Sequence, residues 1–376
     1  MHVLITGGAG FIGSRLAKRL AAGGHSVTVF DNLSEQVHGA NARFAFDLEA
    51  VARCVHGDVC DRESVARELA NQQVVVHLAA ETGTGQSMYA IQRYERVNLQ
   101  GTACLLDVIV NDSPPQLRKI LVASSRAIYG EGKYQCSTHG VVFPRARTAT
   151  AMSAGQFEAE CPVCAATVAV LPTSEDTPFA PSSFYGLTKQ VQEQMVLMFG
   201  AARGLDALAL RYQNVYGPGQ SLSNPYTGLL AVFSNLVRQG KPLQIFEDGL
   251  ESRDFVYVDD VVDATAACLS EHVTGVHSLN VGSGVRTTVL EVAEAVRAFF
   301  KSNVPVQITG KFRVGDIRHN VADTTRIREL TGFAPQWQFT AGLSRFLEWA
   351  QQSEAGDYGF ERSLSELEQR GMLGGR

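Results

Sequence analysis

The start of this 376-residue chain constrains its fold more than any other feature. A short apolar run, His2-Val3-Leu4-Ile5-Thr6, leads into Gly7-Gly8-Ala9-Gly10-Phe11-Ile12-Gly13, and residues 11–22 then place Ile12, Leu16 and Leu20 at helical spacing. Glycines at 7, 10 and 13 permit a tight turn, a close backbone approach to pyrophosphate, and close packing of helix on strand. The helix start offers free N–H groups and a positive dipole end. Ser26–Phe30 reads as a second strand, and Asp31 at its end lies 24 residues beyond Gly7. A carboxylate there accepts from both hydroxyls of an adenosine ribose and repels a 2′-phosphate. Asn32-Leu33-Ser34 follow with no basic residue, so NAD is expected rather than NADP.

The same alternation continues. Gln73–Ala80 and Lys119–Ser125 are continuous apolar runs, as expected of strands buried on both faces, and residues 205–217 read as one more strand with a polar exit. Strands alternating with helices predict a doubly wound, Rossmann-type parallel α/β sheet. Residues 1–214 are assigned to this dinucleotide-binding domain, interrupted by an insertion at 132–174 with little apolar periodicity. Gly217-Pro218-Gly219 opens a mixed α/β region over 215–350, read mainly as a smaller substrate domain. Residues 351–376 are polar and read as a peripheral tail.

Composition removes several function classes. The net charge is −5, without the basic footprint of a nucleic-acid or anionic-membrane binder. No apolar run approaches the ~18 residues of a membrane span. The N-terminus carries no secretory signal pattern, so a cytoplasmic protein is expected. Seven cysteines argue against a disulfide framework in that compartment. Cys54, Cys60, Cys104 and Cys268 fall in apolar patterns as small core residues. The other three lie in the insertion, as Cys136-x-x-His139 and Cys161-Pro162-Val163-Cys164. Two such pairs supply four N/S ligands, which suits a closed tetrahedral zinc site holding together a segment with little core of its own. A chance CxxC or a redox pair is the competing reading, and no thioredoxin-like context surrounds it.

Tyr185-Gly186-Leu187-Thr188-Lys189 places a tyrosine and a lysine four apart, on one face of a helix that 190–200 would continue. Free tyrosine, with pKa about 10, is a poor base at neutral pH. An ammonium one turn away would favour the phenolate and make Tyr185 a general base.

With these residues in view, the chain resembles the extended short-chain dehydrogenase/reductases, specifically the NAD-dependent nucleotide-sugar epimerases and dehydratases. The resemblance is carried by the glycine turn at 7–13, Asp31, GDV at 57–59, HLAA at 77–80, Asn98, SSRAIYG at 124–130, YGLTK at 185–189, RYQNVYGPGQ at 211–220, RDFVYVDD at 253–260 and NVGSG at 280–284. It implies that Asp58 and Val59 contact adenine, and that Leu78, Ala79, Ala80, Asn98 and Ser124 border the cofactor. Ser125 would hydrogen-bond the sugar hydroxyl being oxidised. Tyr185 would be the base and Lys189 would bind the nicotinamide ribose. Asn214, Arg253 and Arg318 would hold the substrate diphosphate, and a homodimer is implied.

Dehydratases of this family carry Asp-Glu directly after the serine or threonine. Here those positions are Arg126-Ala127, which leaves redox-neutral 4-epimerisation through a 4-keto sugar. The insertion, with HGVVFPRAR at 139–147 and CPVC at 161–164, resembles a subgroup, the bacterial dTDP-L-rhamnose 4-epimerases of surface-polysaccharide synthesis. ETGTGQSMY at 81–89 agrees, so Thr82, Gly83 and Thr84 should border the sugar, with Arg126 nearby. The residues alone leave open a UDP-hexose or UDP-hexuronate 4-epimerase, a 4,6-dehydratase, or a non-catalytic zinc-ribbon interaction protein.

Overall fold

The computed structural model describes residues 1–112, 114–222, 228–352 and 360–375. Seven strands form one parallel sheet: β1 (His2–Thr6), β2 (Ser26–Asp31), β3 (Arg53–His56), β4 (Val74–His77), β5 (Lys119–Ser125), β6 (Asp206–Tyr212) and β7 (Val276–Val281). Their order is β7-β6-β5-β4-β1-β2-β3, so the winding reverses beside β1. All four residues of β4 and all seven of β5 are buried, as their unbroken apolar runs require. Side chains alternate between two cores: Val3 and Ile5 join one cluster, Leu4 the other.

Helix α1 (Phe11–Ala22) covers one face together with Val258–Cys268. Helix α2 (Phe184–Arg203) covers the other, packed on β5 and β6. The Ser183 side chain caps α2 by accepting from the Gly186 N–H at 3.1 Å, and Gly204 ends it in the left-handed conformation.

The sheet does not respect a boundary at residue 214. β7 lies inside the 215–350 stretch yet completes the dinucleotide-binding sheet, in parallel register with β6. The rest of that stretch contributes two small sheets, one joining 214–216, 252–257 and 286–288, the other 243–245 and 306–308. The insertion has its own three-stranded antiparallel sheet, from 134–136, 140–142 and 169–170. The tail is more than a peripheral appendage. Leu373–Gly374 pairs with Phe312–Arg313, and the Tyr89 hydroxyl donates to Glu366 at 2.9 Å. Among the described residues no helix is long and apolar enough to cross a membrane.

Candidate active site

A cleft of about 470 Å³ runs across the carboxyl ends of β1, β2, β4, β5 and β6. Gly7, Gly10, Phe11, Ile12 and Gly13 form one wall. Gly7 has φ +68°, and a Cβ there would stand 2.6 Å from the Ala79 nitrogen, so no larger residue fits without moving the tip of β4. Gly10 precedes α1 without any side-chain cap, which leaves the first N–H groups facing the cleft. Asp31 accepts from the Ala9 and Leu33 N–H groups at 3.0 and 2.9 Å and lines the same cleft. His38, which sequence reasoning passed over, sits 3.6 Å from the Asp31 carboxylate and also lines the wall. Asn32, Val59, Leu78, Ala79, Ala80 and Ser124 line it as expected. This cradle fits a dinucleotide: a left-handed glycine turn with no room for a side chain, an uncapped helix start and a buried carboxylate converge on one channel.

Two expected wall residues lie behind it. Asp58 is not part of the lining and accepts from the Cys60 N–H at 2.9 Å. Asn98 is fully buried. It accepts from the Glu81 N–H at 2.8 Å and donates to the Glu81 carbonyl at 3.2 Å and to Thr188 at 2.9 Å. It therefore ties the 81–84 loop to α2 and positions the wall from outside. Tyr94, absent from the sequence-based set, has the same role: its hydroxyl donates to the Thr82 and Gly83 carbonyls at 2.6 and 2.9 Å, and its ring meets Tyr185 edge-on.

Ser125, Tyr185 and Lys189 meet on the opposite wall, with Arg126 beside them. Burial raises the Tyr185 phenol above its ordinary 10, while a hydrogen bond with Ser125 and the charge of Arg126 pull it back down. Lys189 does not act on the phenol as the four-residue spacing predicted. Its ammonium donates to the Ala123 carbonyl at 2.9 Å and to Gln192 at 2.8 Å, and burial lowers its pKa to about 7. The cation whose charge opposes the rise at Tyr185 is Arg126, itself lowered by burial to about 10 and without a hydrogen-bond partner among the described residues. Beneath them Glu193 of α2 accepts from Ser124 at 2.5 Å and from Arg211 at 2.6 Å, an enclosed pair that seats the helix on the sheet.

At the far end, Asn214, Gln213 and Gln220 line the cleft with buried polar atoms that have no partner among the described residues. Behind them Asp316 accepts from Arg253 at 2.9 Å, and Arg126, Arg253 and Arg313 all act on this one carboxylate. Among the described residues the buried Arg313 Nε has no hydrogen-bond partner. Arg147 acts on it as well, while Glu251, Asp254 and Glu131 face the same arginines, so this end of the molecule is a mixed cluster of guanidinium and carboxylate groups. Arg318, by contrast, is not available to a ligand. It is 0% exposed and donates to Glu158 at 2.5 Å, Glu247 at 2.9 Å and Asp248 at 2.7 and 2.9 Å. Arg313, five residues earlier and passed over by the sequence reading, lies beside Arg253 instead. No spacing rule separates the two, because the distinction rests on which carboxylates packing delivers.

In the insertion, Cys136, His139, Cys161 and Cys164 converge, with one ligand atom from each within 4.8 Å of the others.

Comparison with known proteins agrees with this geometry. The profile of the NAD dependent epimerase/dehydratase family matches residues 3–154 and 156–282. The chain is 39% identical over 353 residues to the dTDP-L-rhamnose 4-epimerase of Burkholderia thailandensis, covering 93% of this chain and 95% of that one. It is 31% identical to the UDP-glucose 4-epimerase of Mycolicibacterium smegmatis, covering 93% and 98%. Among solved structures it is similar to the Thermotoga maritima UDP-glucose 4-epimerase with UDP-glucose, at TM-score 0.76 and 28% identity, covering 94% and 99%. The Thermus thermophilus UDP-glucose 4-epimerase complex with NAD aligns at TM-score 0.73 and 27% identity, covering 94% and 100%.

Proposed function

Because the chain belongs to the NAD-dependent epimerase/dehydratase family, we propose that it inverts C4 of a nucleotide sugar without net redox change. The substrate we assign is dTDP-L-rhamnose and the product dTDP-6-deoxy-L-talose. The observation that carries the reaction class is one wall of the cleft. Ser125, Tyr185 and Lys189 meet there, and the two positions after Ser125 hold Arg126 and Ala127 where a dehydratase would need acids. The 39% identity to a dTDP-L-rhamnose 4-epimerase supports the sugar.

When bound along the Gly7–Gly13 turn with its ribose on Asp31, NAD supplies the hydride acceptor and donor. The chain's own residues do the rest. Ser125 hydrogen-bonds the C4 hydroxyl and aligns it with the phenolic oxygen. Tyr185, whose burial-raised phenol Ser125 and Arg126 partly bring back down, takes the hydroxyl proton and gives it back after the ring has turned. Lys189 holds the nicotinamide ribose. Asn214, Arg253 and Arg313 anchor the diphosphate while the 4-keto sugar presents its other face. The same reading includes a structural zinc in the insertion and a cytoplasmic homodimer, the latter tested by light scattering.

NMR of purified protein with dTDP-L-rhamnose and no added reductant tests the assignment. The expected result is a new C4 epimer with no net NADH, and Tyr185→Phe should slow it by about 10²–10⁴-fold. Turnover of UDP-glucose or a UDP-hexuronate in its place would move the substrate, and accumulation of a 4-keto-6-deoxy sugar would replace the reaction. Full turnover by Tyr185→Phe would remove the mechanism.

A further inference from the structure

All four insertion ligand atoms lie within 4.8 Å of one another, and three of their six separations match those a metal would impose. With Zn–S about 2.3 Å and Zn–N about 2.05 Å, a tetrahedron has S–S edges of about 3.8 Å and S–N edges of about 3.6 Å. The structure has Cys136 Sγ to Cys164 Sγ at 3.8 Å, Cys136 Sγ to His139 Nδ1 at 3.6 Å and Cys161 Sγ to His139 Nδ1 at 3.5 Å. All three thiols are free. Each ligand pair sits on a tight turn whose next residue is left-handed: Gly140 at φ +69° and Ala165 at φ +56°. For Ala165 that conformation is strained, and something must hold it. The insertion's own core is six buried residues, two of which are the ligands Cys136 and Cys161.

This module touches the Asp316–Arg253 pair and its neighbours, which lie behind the Asn214 end of the cleft. Arg147, 4% exposed within the insertion, donates to Glu131 at 3.2 Å and to the Phe157 carbonyl at 3.0 Å. It also donates to Glu247 at 2.8 Å and to the Asp316 carbonyl at 3.0 Å. Asp316 is the residue whose carboxylate holds Arg253. Glu158, three residues before Cys161, accepts from Arg318, two residues beyond Asp316. Met152 and Phe157 pack on Phe312, the neighbour of Arg313. No described residue of the insertion lines the dinucleotide wall of the cleft.

We infer that Cys136, His139, Cys161 and Cys164 form a closed zinc site, and that the module it closes is a strut which sets the arginines for the substrate diphosphate. The second clause rests on the nucleotide-sugar reading above; the first does not. Metal then controls affinity for the nucleotide and leaves affinity for NAD alone.

The test begins with elemental analysis of the full chain purified without chelators. About one zinc per chain is expected; protein that carries none and takes up none from added ZnCl₂ overturns the site. Zinc is then removed with a chelator and restored, and dTDP, UDP and NADH are titrated calorimetrically in each state. The expected result is a loss of dTDP or UDP affinity of about tenfold or more, reversed by zinc, with NADH affinity unchanged. Unchanged nucleotide affinity in zinc-free protein overturns the strut. Parallel loss of NADH affinity overturns its selectivity and marks general unfolding. Arg147→Met, which leaves all four ligands in place, should keep the zinc and still weaken dTDP or UDP; zinc retention with full affinity also overturns the strut. Native zinc-loaded protein that binds neither dTDP nor UDP would instead sink the nucleotide-sugar reading.

Discussion

Lys189→Met is expected to stabilise the dinucleotide-free protein at neutral pH while it abolishes turnover. The Lys189 ammonium is buried, and burial lowers its pKa from 10.5 to about 7. That distance corresponds to ~5 kcal/mol by which the folded state disfavours the charged form. The sign follows from linkage. Below pH 7 lysine is protonated in both folded and unfolded chains, and the full penalty weighs on the folded state. Between pH 7 and 10.5 the folded chain gives up its proton first and the penalty fades. Methionine carries no such penalty, but it leaves the Ala123 carbonyl and Gln192 without a donor, a cost of ~1–3 kcal/mol. The variant should therefore be more stable than the native chain by ~2–4 kcal/mol at pH 6, and less stable by ~1–3 kcal/mol near pH 10.5. With unfolding entropy of ~2.1 cal/mol/K per residue, 3 kcal/mol in a chain of this length is about 4 °C in Tm. Thermal or urea unfolding of dinucleotide-stripped protein across pH 6–10.5 measures the gap, and a turnover assay should show a loss of at least ~10²-fold. A variant less stable at pH 6, or a gap that does not move with pH, would refute the reasoning. The physical content is that a buried lysine, to which the proposed function gives the nicotinamide ribose, is kept at the expense of stability.

Three further outcomes are expected. Arg211→Met should cost about 3–5 kcal/mol in urea unfolding, because Glu193, 1% exposed, keeps only hydroxyl partners; Arg211→Met with Glu193→Leu should be more stable than either single variant, and simple additivity would contradict this. Arg126→Gln should raise the Tyr185 phenol by removing the cation that lowers it, so the acid limb of the kcat/KM pH profile moves to higher pH and the rate loss is greatest at low pH; an unmoved limb would return that role to another group. Gly7→Ala places a Cβ 2.6 Å from the Ala79 nitrogen at a left-handed φ, and NADH titration should show dinucleotide affinity reduced by at least ~10-fold while dTDP still binds.

Much of this molecule was legible from short-range pattern. Unbroken apolar runs at 73–80 and 119–125 could only be strands covered on both faces, and they are β4 and β5. A glycine turn between strand and helix restricts the backbone locally, so Gly7 at φ +68° and the uncapped start of α1 were readable without coordinates. Four residues in a helix put Tyr185 and Lys189 on one wall whatever surrounds them. Asp31 was readable from its place at the end of the second strand, and Ser125 and Asn214 from the family resemblance; all three line the cleft.

Interactions between charges were not legible, because a guanidinium or ammonium takes its role from whichever partners the fold brings within a few ångströms. Arg313 and Arg318 look alike in sequence, yet packing gives Arg318 the carboxylates of Glu158, Glu247 and Asp248 and leaves Arg313 an unpartnered Nε beside Arg253. Lys189 sits where the helix put it, but its ammonium turns to Ala123 and Gln192, and Arg126 supplies the charge that reaches Tyr185. The strand at 276–281 crosses back into the first sheet, and the last residues pair with Phe312–Arg313. The sequence by itself determined the local backbone and the list of reactive side chains, since those depend on neighbours in the chain. Only the tertiary structure decided which cation meets which carboxylate, carbonyl or phenol, since that depends on contacts between residues far apart in sequence.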